Sequence, residues 1–126
     1  MPEYMLLLYA DEPGGAEEEA RENEMPAWLA YRESLIEAGA FRASGRLRPV
    51  GTATTLRTRS GDTEVVDGPF ATTKELLGGF FLLECADLDE ALDHAGRCPL
   101  ARYGSVEVRP MAEIPVADGT GAASAS

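Results

Sequence analysis

A single histidine and two cysteines are all that this 126-residue sequence holds of the commonest soft metal ligands and redox side chains, and its 11 basic residues face 22 acidic ones. Any imidazole chemistry must therefore use His94. Cys85 and Cys98 lie well apart and lack metal-ligand spacing, so two reduced thiols are expected, at least one of them buried in a strand. The formal charge of -11 repels phosphate backbones and anionic lipids, which excludes nucleic acid and membrane surfaces as expected partners. Long apolar runs are missing as well. The first one, Met5 to Tyr9, has no cationic flank and is too short for a signal peptide or a membrane span. A cytoplasmic protein is expected, where a disulfide is disfavoured. There is no Gly-x-Gly-x-x-Gly after a strand, no phosphate-binding loop, no nucleophile elbow and no histidine-carboxylate metal motif. No metal and no cofactor are expected.

What is present is a set of short elements in one domain. Tyr4 to Ala10 and Phe80 to Cys85 read as strands, rich in Leu and aromatics. Thr54 to Arg59 and Thr63 to Asp67 form a hairpin around Ser60-Gly61-Asp62, a further strand lies near Phe41 to Leu47, and Ser105 to Arg109 is the last. A first helix carries Met25, Trp28, Leu29, Arg32, Leu35 and Ile36 at helical spacing, opened by Pro26 and ended by Gly39. The acidic stretch Glu17 to Glu24 is set apart from it as a separate turn, because Pro26 does not fit inside a continuous helix. A second helix begins at Asp87, with Glu90 at the third position and an apolar stripe of Leu88, Ala91, Leu92 and Ala95. Pro99 stops it. Residues 1–116 are assigned to the domain, and the small, polar residues 117–126 to a disordered tail.

This order predicts a ferredoxin-like α+β sandwich with an inserted hairpin. Two helices cover one face of such a sheet, yet Met5 to Leu8 and Phe80 to Leu83 are apolar at both parities. A second copy is the simplest cover for the other face, which predicts a homodimer joined through its sheet faces.

Asp67 to Phe80, Asp-Gly-Pro-Phe-Ala-Thr-Thr-Lys-Glu-Leu-Leu-Gly-Gly-Phe, is the most distinctive stretch. One account is structural. Asp67-Gly68-Pro69 makes a turn, Thr72 and Glu75 form a capping box, and Gly78-Gly79 end the single helical turn they open. The other account is functional, with Asp67 as a general base or ligand acceptor, Lys74 as a point charge and Phe70 as an apolar wall. Arg57 and Arg59, which share a strand face, belong to an arginine-rich segment from Phe41 to Ser60 that has no acidic residue. That segment suits a carboxylate or phosphate, an acidic partner, or a solvated hairpin edge. His94 falls on the flank of its helix near the C-terminus, where a surface or packing role explains it.

Four stretches together, Tyr4-Met5-Leu6-Leu7-Leu8-Tyr9, Asp67 to Phe80, Asp87-Leu88-Asp89-Glu90-Ala91-Leu92 and Arg97-Cys98-Pro99 leading to Gly104 to Pro110, resemble the DGPF-type proteins of the YCII-related superfamily. That family usually has Glu where this sequence has Thr73. The resemblance implies the dimeric α+β barrel arrangement and an association with extracytoplasmic-function sigma factors. It also marks a departure, since Trp28 stands where the broader superfamily carries a histidine, so the acid-base mechanism suggested for those relatives does not transfer. A homodimer binding a small organic or anionic molecule is therefore expected, in a helix-sheet cleft lined by Tyr9, Asp11, Trp28, Arg32 and Asp67. The alternatives are an enzyme using Asp67 as acid or base, or His94 as a haem ligand as in distant relatives, and an interaction module for a sigma factor.

Overall fold

Strand β1 (Glu3–Ala10) is apolar at both parities, and the fold divides those parities between two environments. Tyr4, Leu6 and Leu8 are buried beneath the helices, whereas Met5, Leu7 and Tyr9 point to the opposite, half-open face. The computed structural model describes residues 1–70 and 74–114. After β1 come α1 (Ala16–Glu22), α2 (Met25–Glu37), β2 (Phe41–Arg46), β3 (Thr54–Arg59), β4 (Asp62–Asp67), β5 (Leu76–Glu84), α3 (Leu88–Gly96) and β6 (Ser105–Pro110). Short 3-10 turns fall at Val50–Thr52 and Pro99–Arg102. One sheet has the order β2-β5-β1-β6, all neighbours antiparallel, and β3 and β4 form a separate two-stranded hairpin. This is an α+β fold of the ferredoxin-like kind, with the hairpin inserted between β2 and β5. The tail and Thr72 lie outside the described residues.

Several local expectations hold for the reasons given. Asp87 caps α3 by accepting from the Glu90 amide at 2.9 Å, and the Glu90 carboxylate accepts from the Ala86 amide at 3.2 Å. Pro26 lies in the first turn of α2, which keeps that helix separate from α1. Gly39, with φ 72°, follows the C-cap of α2 in the left-handed region.

Three expectations are corrected, the first being the acidic stretch, which forms the helix α1 over Ala16–Glu22 rather than a turn. Gly78 and Gly79 do not end a helical turn; both lie inside β5, whose register slips beside the Leu8/Tyr9 step of β1. A Cβ on Gly79 would come within 2.7 Å of the Gly45 carbonyl oxygen, so the glycine serves close strand approach. The apolar stripe of α3 is also different. Leu88 and Leu92 are 46% and 49% exposed, and the buried face is Ala91, His94 and Ala95. Small residues let the helix approach β6 and β1 closely, which turns the longer leucines outward. On α2 the buried residues are Tyr31 and Leu35, while Met25, Leu29 and Ile36 are exposed. Phe81 of β5 is the centre of this layer: Trp28 stacks on it with ring centroids 6.2 Å apart, and Tyr31 meets it edge-on at 5.2 Å.

Candidate functional site

The half-open sheet face is the feature from which a site grows. Register places Met5 opposite Leu82 and Leu7 opposite Phe80, a central apolar patch on β1 and β5. Phe80 lies over Gly45 of β2, where any Cβ would strike its ring. Charged residues rim the patch. Arg42 pairs with Glu84 at 2.6 Å at one end, and Glu107 and Arg109 stand on β6 beside Leu7 and Met5.

At the other end of the strands the face runs into an open cavity of about 570 Å³ lined, among the described residues, by Tyr9, Lys74, Glu75 and Ser105. Tyr9 and Ser105 are register partners on β1 and β6, and Lys74 and Glu75 lead into β5. The Ser105 hydroxyl donates to Glu75 at 2.7 Å. Burial raises the Tyr9 phenol and the neighbouring Glu107 carboxylate raises it further, so at neutral pH Tyr9 is a hydrogen-bond donor. Two hydroxyls, an ammonium and the Glu75 carboxylate stand around one opening; the Ser105 hydroxyl already donates to Glu75 and the Tyr9 phenol to Glu107, so Lys74 is the group there that suits an oxygen-rich, anionic small molecule.

The other residues singled out from sequence are distributed more widely. Asp11 is held by Arg21 of α1 at 3.0 Å, and the same guanidinium takes Glu17 at 2.9 Å and lies over the Tyr103 ring. Trp28 packs on Phe81 on the helical side of the sheet, and the Arg32 guanidinium sits over the Phe41 ring at 4.8 Å. Asp67 is exposed at the end of β4. Arg57 and Arg59 share a hairpin face as the alternation predicts, each across the ladder from an acidic residue, Glu64 and Asp62. The Arg57 guanidinium covers the exposed Phe70 ring at 5.1 Å. Of the expected cleft residues, then, Tyr9 reaches the cavity, joined there by Lys74, while Asp11, Trp28, Arg32 and Asp67 are not among its described lining.

A second grouping was not anticipated. The Cys85 thiol, a Glu90 carboxylate oxygen and a His94 ring nitrogen all lie within 4.8 Å of one another. Cys85 is fully buried at the end of β5 and His94 is 6% exposed on the inner face of α3. The Tyr31 hydroxyl donates to the His94 carbonyl at 2.7 Å, and the Arg97 guanidinium contacts His94 Nδ1. Sequence reading considered each of these side chains singly. The signal available was the i, i+4 spacing of Glu90 and His94, with Cys85 five residues before Glu90.

Burial, and then the Arg97 charge, push the His94 imidazole below its ordinary value of 6.5, against the pull of Glu90 and Asp93. The unfolded chain therefore binds the proton first on acidification. Stability is complete above the unfolded value and is lost as pH falls through the folded one. Urea midpoints followed from about pH 7.5 to about pH 5 are expected to fall more steeply for the wild type than for His94→Gln. Parallel profiles would show that His94 titrates alike in both states.

Comparison with known proteins places this fold in a family. The YCII-related domain model matches residues 3–115. The chain belongs to the YCII-related family. An uncharacterised protein of Rhizobium meliloti (strain 1021) is 45% identical to this YCII-related chain over 113 residues, covering 86% of it and 91% of the relative. Among solved structures, 5-chloro-2-hydroxyhydroquinone dehydrochlorinase from Burkholderia phenoliruptrix AC1100, in complex with 2,5-dihydroxybenzoquinone, aligns over 88% of this chain and 95% of its own at TM-score 0.50 and 20% identity. At that identity the likeness concerns the fold alone. No helix among the described residues is long and apolar enough to cross a membrane.

Proposed function

We propose that this protein is a cytoplasmic homodimer of the DGPF type that pairs its half-open sheet faces and binds a small, oxygen-rich organic anion at the Tyr9–Lys74–Ser105 opening. The observation that carries this reading is the continuity of two features, an uncovered apolar patch of Met5, Leu7, Phe80 and Leu82 and the polar cavity at its end. A second sheet laid on the patch would roof the cavity and dry it, which strengthens every polar contact inside. Lys74 supplies the charge that selects an anion, and Tyr9 turns its hydroxyl from Glu107 to one of the ligand's oxygens. The bound 2,5-dihydroxybenzoquinone of the dehydrochlorinase has the same character, a flat ring edged with oxygens.

Titration calorimetry with 2,5-dihydroxybenzoquinone as the probe tests the reading. Wild-type protein is expected to bind it, and Lys74→Ala to bind about tenfold or more weakly, because one charge-assisted hydrogen bond is worth roughly 1.5–3 kcal/mol. Lys74 is exposed, so the variant folds as the parent does. Equal binding by both proteins would remove the cavity from the account. Absence of binding would turn the search to ligands retained in native mass spectra of protein purified from its own host.

A further inference from the structure

We propose that Cys85, Glu90 and His94 form a binding site for one zinc-class divalent cation, at the opposite end of β5 from the Tyr9–Lys74 cavity. Leu76 and Cys85 are separated by the length of that strand, on the order of 30 Å at the usual rise per residue. The site is therefore independent of the proposed ligand cleft.

A thiolate, an imidazole and a carboxylate make a donor set of intermediate softness, which suits zinc, and three protein ligands leave one position for water. The scaffold holds them from three directions. The Cys85 amide donates to the Pro2 carbonyl at 3.1 Å and fixes the end of β5. Glu90 is tied to the start of α3 through one carboxylate oxygen, leaving the other, Oε1, 4.0 Å from His94 Nε2. Tyr31 anchors the helix at the His94 carbonyl. Both side chains are buried, Cys85 forms no disulfide, and His94 Nε2 stands 4.0 Å from Glu90 Oε1, beyond hydrogen-bond distance. Ligand atoms around a tetrahedral zinc stand roughly 3.5 Å apart, as bonds of about 2.0–2.3 Å require. The three ligand atoms now lie within 4.8 Å of one another, and the partly exposed Glu90 is the side chain of the three with room to move toward a cation.

Arg97 works against the cation. Its guanidinium donates to His94 Nδ1, which places the proton of the neutral ring on Nε2, the nitrogen that faces Glu90. Metal uptake must move that proton to Nδ1 and release the exposed Arg97 to solvent. The Cys85 thiol is raised by burial and then by Glu90, Asp87 and Glu84, so it is protonated in the metal-free protein and gives up a proton when the cation binds. Affinity consequently rises with pH, with Arg97, Asp93 and Glu90 as the charges that face His94.

Cobalt(II) added to the reduced full-length protein is the probe. The expected result is a thiolate-to-cobalt charge-transfer band that saturates at one cobalt per chain and is bleached by zinc. Cys85→Ser should abolish the band. Glu90→Gln, at a partly exposed position that does not endanger folding, should weaken cobalt binding roughly tenfold or more, a loss that even an outer-shell contact commonly costs. Arg97→Gln should bind more tightly than the parent, and Cys98→Ser should retain the band. No charge-transfer band in the wild type overturns the proposal, as does an undiminished affinity in Glu90→Gln or a band that disappears only with Cys98→Ser.

Discussion

Leu6→Ala is expected to remove about 2–5 kcal/mol of unfolding free energy, the range for truncating a fully buried leucine that leaves a cavity. Leu6 sits mid-strand in β1, paired with Phe81 of β5 on one side and Val108 of β6 on the other, and no part of it reaches solvent. Its neighbours are held by two ladders and cannot collapse far into the vacated volume, which places the loss well inside that range. Against a total of roughly 5–15 kcal/mol for a domain of this kind, one substitution takes a large share. Leu92→Ala on α3 is the contrasting case. With half its surface in water, that side chain should cost within about 0.5 kcal/mol, since surface substitutions seldom do more. Urea denaturation at pH 7 separates the two, read as a shifted midpoint at constant slope. Comparable losses from both variants would return Leu92 to the core and reverse the orientation of α3.

That contrast also shows where sequence reading of this chain reaches its limit. The strand and helix order, the Asp87 cap, the Pro26 boundary and the hairpin turn at Ser60-Gly61 were all legible, because each depends on residues close together in the chain. The inward face of α3 was legible only in part. Ala91 and Ala95 of the expected stripe do face inward, but Leu88 and Leu92 do not and His94 joins the alanines instead, because close approach requires small side chains at the contact. Gly78 and Gly79 were misplaced for a related reason. A glycine pair reads as a stop when only neighbours in sequence are considered, and the Gly45 carbonyl that requires Gly79 comes from 34 residues earlier. The site followed the same division. Tyr9 and Lys74 were named from strand-end and motif position and both line one cavity, but Ser105 joins them through the pairing of β1 with β6, strands distant in sequence, and there meets Glu75. Asp11 could not be read as the partner of Arg21 while α1 was taken for a turn. The Cys85–Glu90–His94 grouping needed the buried orientation of His94, which the leucine stripe had concealed.

Leu82→Asp is expected to convert the proposed dimer into a folded monomer. Leu82 lies at the centre of the apolar patch, between Met5 of β1 and Ala43 of β2, and it is half-buried in the single chain. In one protomer a carboxylate placed there reaches water and costs little. Under a second sheet it is sealed among Met5, Leu7 and Phe80 of both copies, with no cation at the centre to pair with. Isologous pairing places the same defect on both sides of the axis, so each dimer carries two unpaired charges facing a shared apolar core. Removing one such charge from water costs several kcal/mol, so the dissociation constant should rise by about a hundredfold or more, at roughly 1.4 kcal/mol per tenfold. Light scattering after size-exclusion chromatography reads the mass, and circular dichroism confirms that the fold persists. Leu82→Met, which keeps the volume and the apolar character, should stay dimeric. If the wild type runs as a monomer at high concentration, or if Leu82→Asp leaves the mass unchanged, the sheet face is not where two copies meet. The 2,5-dihydroxybenzoquinone titration then becomes the more informative measurement, because a cavity that binds without a roof must draw its affinity from the lining of one chain, Lys74 foremost among the described residues. If instead the monomeric Leu82→Asp protein loses the probe together with its partner, the apolar patch and the polar opening act as one site, assembled only when two sheets face each other.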